Sequence, residues 1–110
     1  MNGKPLRWLH GEVKTPPMNL AARREMGLLL RDVQEGILPS LPHSRPMPSI
    51  GPHCHELRVT DADRNWRLIY RIDPDAIVIL DVFGKKTRRT PPAIIAACQR
   101  RLKLYAGSRT

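Results

Sequence analysis

The sequence predicts an α+β domain: a small antiparallel meander of about four strands, packed by one helix before it and followed by a second helix after it. Three observations carry that prediction. Apolar residues recur at helical spacing from Ala22 to Val33. Three strand-like segments follow one another between Cys54 and Phe83, separated by polar turns. A second helical stripe runs from Ile94 to Tyr105. Both helices are expected against one face of the sheet.

Leu6, Trp8 and Leu9 lie in a short extended segment, read as a first strand, with Gly11 near its end and Pro16-Pro17 stopping any regular element. Asn19 then caps a helix that runs to about Glu35. Ala22, Met26, Leu29, Leu30 and Val33 fall three and four residues apart and share its buried face. Gly36 stands where a helix end often takes a left-handed residue. Gly27, inside the helix, costs roughly 1 kcal/mol against alanine and is read as a point of close approach to the sheet.

Pro39, Pro42, Pro46, Pro48 and Pro52 make the next segment a stiff, extended connector, because neither a helix nor a central strand survives that density. Cys54 to Val59 alternates, with His55, Leu57 and Val59 on one face and Cys54, Glu56 and Arg58 on the other. After a polar turn, Trp66, Leu68, Tyr70 and Ile72 alternate with Arg67, Ile69 and Arg71. Asp73-Pro74-Asp75 is a turn. Ala76 to Phe83 is almost continuously apolar, as in a strand covered on both faces. Thr90 is placed to cap the last helix, with Pro91 at its first position. Ile94, Ile95, Cys98, Leu102 and Tyr105 form that helix's apolar stripe.

The chain has 110 residues, read as one domain spanning 1–110 with a single core. Nineteen Lys and Arg oppose ten Asp and Glu, a net charge of +9. Such a surplus calls for a polyanion or an acidic protein partner, with an anionic membrane surface as the third option. No stretch approaches the ~20 apolar residues of a membrane span, and the N-terminus carries no signal-like apolar run. Cys54 and Cys98 are accordingly read as reduced thiols of a cytoplasmic protein.

Candidate chemistry gathers on the central hairpin. A register centred on its turn sets Arg58 across from Arg67 and Glu56 near Ile69. Like charges placed opposite each other destabilise a sheet unless the face is solvated or an anion bridges them. Lys85 and Lys86 arrive at the end of the next strand, and with Arg58, Arg67 and Arg71 they form a basic concavity; Arg88 and Arg89 continue the basic loop. Attack of an RNA 2′-hydroxyl on its own phosphodiester needs charge stabilisation on the phosphorane, a base and an acid. Arginine and lysine supply the first. Glu56 or His55 is a candidate base, and a lysine or water the acid. An ordinary solvated strand face fits the same alternation. His53-Cys54-His55 offers at most two ligands on one side of a strand, so no metal is expected; with no P-loop, Rossmann glycine pattern or nucleophile elbow, no cofactor is expected either. Trp8 and Trp66 are read as core residues, since 5% aromatic content is poor for a base-stacking surface.

These stretches resemble a known family. Trp8-Leu9-His10-Gly11-Glu12-Val13-Lys14 with Pro16-Pro17, and Ala22-Arg23-Arg24-Glu25-Met26-Gly27, are similar to the N-terminal half of the phage-derived Gp49-like, HigB-type group of the RelE/ParE superfamily. Cys54-His55-Glu56-Leu57-Arg58, Trp66-Arg67-Leu68-Ile69-Tyr70-Arg71 and Phe83-Gly84-Lys85-Lys86-Thr87-Arg88-Arg89-Thr90-Pro91 resemble that group's most recognisable motifs. The resemblance implies a RelE-like fold and a toxin of a type II toxin–antitoxin pair. It implies cleavage of mRNA on the ribosome, and neutralisation by a helix-turn-helix antitoxin of the HigA type, in a heterotetramer. Arg67 matches the strand arginine that meets the scissile phosphate, Lys86 the basic residue that serves transition-state charge, and Arg58 a neighbouring arginine. Cys54 and Glu56 stand where RelE-like enzymes carry strand lysines, and no histidine lies near the C-terminus. Two other functions stay open: ParE-like inhibition of DNA gyrase, and a weak toxin whose role is antitoxin binding and co-repression.

Overall fold

A computed structural model describes residues 3–10, 18–62, 64–85 and 89–108. In chain order the elements are β1 (Leu6–Trp8), α1 (Leu20–Gln34), β2 (Ser44–Pro46), β3 (Cys54–Thr60), β4 (Asn65–Ile72), β5 (Ile77–Lys85) and α2 (Pro92–Ser108). One five-stranded sheet runs in the order β1-β5-β4-β3-β2. β3, β4 and β5 are the antiparallel meander expected from the sequence. β1 joins β5 in parallel, Leu6 beside Ile77 and Trp8 beside Ile79. The fifth strand, β2, comes from the proline-rich connector and pairs antiparallel with β3. Pro46 is accommodated because β2 is an edge strand, where a missing N–H interrupts no central ladder.

Helix α1 begins and ends as its sequence dictates. The Asn19 side-chain oxygen accepts from the Ala22 N–H at 2.8 Å. At the other end Gly36 takes φ +88°. Its N–H donates to Val33 at 3.1 Å, and the Ile37 N–H donates to Asp32 at 2.8 Å, the paired bonds of a Schellman cap. Ala22, Met26, Leu30 and Val33 are buried against Leu57, Val59, Leu68 and Tyr70. Gly27 is not the close approach foreseen: a Cβ there would meet nothing within 4 Å, and the position faces solvent.

The two helices cover opposite faces of the sheet, not one. Ile77 and Ile79 of β5 join the core under α1. Val78 and Leu80 join a second core with Cys98, flanked by Ile94, Ile95, Leu102 and Tyr105 of α2. All four of these β5 side chains are 0% exposed, and so continuous an apolar strand needs a cover on each side. A bulge opposite Ile69 and Tyr70 leaves Leu80 outside the paired register. The Arg101 guanidinium donates to the Leu80 carbonyl at 2.9 Å and to Asp81 at 3.1 Å, which ties α2 to that irregularity. Helix α2 starts one residue later than expected, at Pro92, with the Pro91 carbonyl accepting from Ile94 at 3.0 Å.

Trp66 and Gly84 are paired across β4 and β5. The indole, 2% exposed, occupies the space a glycine leaves, and its N–H donates to Asp61 at 2.6 Å. Trp8, foreseen as core, is 39% exposed because β1 is a three-residue edge strand. Among the described residues no helix is long and apolar enough to cross a membrane.

Candidate functional site

The β3–β4 register sets Arg58 directly opposite Arg67, and Glu56 opposite Ile69. β2 adds Arg45 opposite Glu56. Paired residues point to the same side of a sheet, so three arginines from three adjacent strands share the α2-side face with one carboxylate. β2 begins at Ser44, beside Leu57, and the Arg58 N–H donates to the His43 carbonyl at 2.8 Å just before it, so the far end of β3 runs past the edge strand. A cavity of about 650 Å³ opens there. Arg45, Arg58 and Arg67 line it, with Thr60 and Asn65 from the end of the hairpin. His43 and Glu25 line it as well, from the connector and from α1.

Arg67 is 3% exposed and Glu56 0%. The Arg67 Nε lies 3.4 Å from Glu56 Oε1, and the Arg58 Nε lies 3.8 Å from the same oxygen. The Thr90 hydroxyl donates to the other oxygen, Oε2, at 2.8 Å. Glu56 Oε1 and Arg67 Nε have no hydrogen-bond partner among the described residues, so their attraction is one of charge at short range. Burial lowers the Arg67 pKa from its ordinary value; Glu56 opposes that shift, while Arg58 and Arg45 add to it. One buried carboxylate therefore serves two of three crowded guanidinium groups. An anion entering the cavity would relieve the remaining repulsion.

The structure brings together Arg67, Arg58 and Glu56 of the residues singled out from sequence. Glu56 does not line the cavity; its carboxylate is held between Arg67, Arg58 and Thr90. His55 lies on the opposite face, stacked on the Tyr70 ring at 5.5 Å. Burial and the neighbouring His53 lower its pKa. Arg71 is on the arginine face but four residues along β4, roughly 13 Å away. Its guanidinium forms a two-pronged bond to Asp73 at 2.6 and 2.9 Å. Arg89 is exposed and directly precedes Thr90. β5 ends at Lys85, whose backbone pairs with the cavity residue Asn65. Lys86 and Arg88 lie outside the described residues, as does the Lys85 side chain.

Sequence reasoning missed Arg45, His43 and Glu25. Arg45 sits among prolines with no alternation to mark it, and only its pairing with Glu56 reveals its face. His43 donates its backbone N–H to Ser40 at 2.9 Å and accepts from the Arg58 N–H at 2.8 Å, which anchors it beside the arginine strand. Its Nε2 stands 4.0 Å from Glu25 Oε1.

The family model for phage-derived Gp49-like proteins matches residues 17–103, a span that holds every residue lining this cavity. No curated protein matches the chain.

Proposed function

This chain belongs to the phage-derived Gp49-like family, a family of RelE/ParE-like toxins, and from that premise we propose that it is an endoribonuclease that cleaves mRNA on the ribosome. It acts in the cytoplasm as the toxin of a type II pair. A helix-turn-helix antitoxin neutralises it, with a heterotetramer as the resting complex.

The observation that carries this reading is the buried Arg67, held beside Arg58 and Arg45 at a cavity wide enough for a nucleotide. A guanidinium fixed in a low-dielectric wall stabilises charge on a pentavalent phosphorane without having to reorganise. Arg67 supports the scissile phosphate and Arg58 and Arg45 the phosphates beside it. Lys86, next in sequence after β5, would add charge. The 2′-oxygen attacks phosphorus and the 5′-oxygen leaves, giving a 2′,3′-cyclic phosphate and a free 5′-hydroxyl.

Inducing the chain alone and mapping RNA ends tests this. New 5′-hydroxyl ends inside translated codons are expected, and Arg67→Ala should remove them and restore growth. Intact transcripts during growth arrest would sink the proposal. The strand positions held by Cys54 and Glu56 instead of lysine favour a second reading, inhibition of DNA gyrase. That reading expects trapped gyrase–DNA complexes and a DNA-damage response instead of cut mRNA.

A further inference from the structure

We infer that His43 is the general base of the arginine cavity and that Glu25 orients it; the inference rests on the ribonuclease reading above. Four observations converge on this pair. Both side chains line the cavity that Arg67 and Arg58 line. Both are close to half exposed, 44% for His43 and 49% for Glu25, so a substrate reaches them. Their facing atoms are 4.0 Å apart. The His43 carbonyl accepts from the Arg58 N–H at 2.8 Å, which sets the two residues side by side.

Three other candidates among the described residues are committed elsewhere. Glu56 is sealed under Arg67 and Arg58 and bonded to Thr90. His55 is on the far side of the sheet. Asp81, also buried, is held by Arg101. Imidazole is suited to the task because it exchanges protons near neutral pH. A neutral imidazole has one ring nitrogen with a free lone pair; with Glu25 lying 4.0 Å from Nε2, that role is assigned to Nδ1. The 2′-hydroxyl gives its proton to Nδ1 as its oxygen bonds to phosphorus. The phosphorus–5′-oxygen bond breaks, and the departing oxygen takes a proton from water. Arg67 and Arg58 hold the charge that accumulates between the two events.

The test uses the full chain and ribosomes programmed with a defined mRNA. His43→Ala should lower the cleavage rate about 100-fold or more, with little change in KM. Added imidazole should restore part of it, and the acidic limb of the rate–pH profile should vanish in His43→Gln. Glu25→Gln should give a smaller loss in kcat. Circular dichroism should show every variant folded, since both side chains are half in solvent. An active wild type whose His43→Ala variant cuts at the same rate, or is reduced without imidazole rescue, overturns the role of His43 and leaves the ribonuclease reading standing. A wild type that leaves mRNA intact overturns both.

Discussion

Glu56 Oε1 lies 3.4 Å from the Nε of Arg67, and neither atom makes a hydrogen bond among the described residues. Both side chains are buried, on neighbouring strands at diagonal positions. A pair like this contributes little net stability when intact, because desolvation consumes most of its Coulomb energy. Breaking it is costly, because one charge stays buried without its counter-ion. Glu56→Ala should therefore destabilise the fold by about 3–5 kcal/mol. Arg67→Ala opens onto the cavity and should cost less. Urea denaturation of the two variants checks the order, and equal losses would contradict it.

Thr90 holds the second oxygen of Glu56 across the chain from the start of α2. Thr90→Val keeps the shape and removes a hydrogen bond to a buried carboxylate. The loss should be about 1–3 kcal/mol, read from denaturation midpoints. Thr90→Ser, which keeps the hydroxyl, should lose less.

Glycines 84 and 27 should respond in opposite directions to alanine. A Cβ at Gly84 would stand 2.7 Å from Cζ3 of Trp66 and 3.1 Å from Cδ of Arg64. The indole is wedged in the core, so Gly84→Ala should cost about 1–3 kcal/mol. Gly27 has open space and a helical backbone, and Gly27→Ala should gain up to about 1 kcal/mol. Thermal melts of the two variants are a direct check; a destabilising Gly27→Ala would mean the helix face is not open as described.

Arg71 and Arg67 should separate functionally. Arg71 is bonded to Asp73, which raises its pKa, and it stands outside the cavity. Arg71→Ala should leave growth arrest in place while Arg67→Ala abolishes it. Arrest lost equally in both, at matched expression, would place substrate contacts along the whole strand.

Burial pushes the Cys54 thiol up to about 11 and the Cys98 thiol up to about 12, from an ordinary 9.0. Both keep their protons in the folded chain at a pH where the unfolded chain has lost them. The unfolded state is thus favoured progressively as pH rises through 9 towards 11, and no such loss occurs below 9. Stability should fall between pH 9 and 11 in the wild type and fall less in a Cys54→Ala, Cys98→Ala double variant. Thiol reagents at neutral pH should label the protein only as fast as it unfolds.

Much of this protein was determined by its sequence alone. Helical spacing marked both helices, Asn19 and Gly36 marked the ends of α1, and strand alternation marked the hairpin. A symmetric turn set Arg58 against Arg67, because the period of two leaves each strand a single register that buries its apolar side. Tertiary structure decided the rest. The side of the sheet that α2 covers depended on the continuous apolar run of β5 needing cover from both directions, which local pattern in α2 does not record. Arg45 gained a face only by pairing at the edge of β3, in a segment whose prolines hide any alternation. Glu56 found its hydroxyl partner 34 residues away. The cavity assembles Glu25, His43 and the three arginines from a helix, a connector and three strands. Proximity of that kind comes from how layers pack, so what began as a basic hairpin face became, in three dimensions, a walled site with its own candidate base.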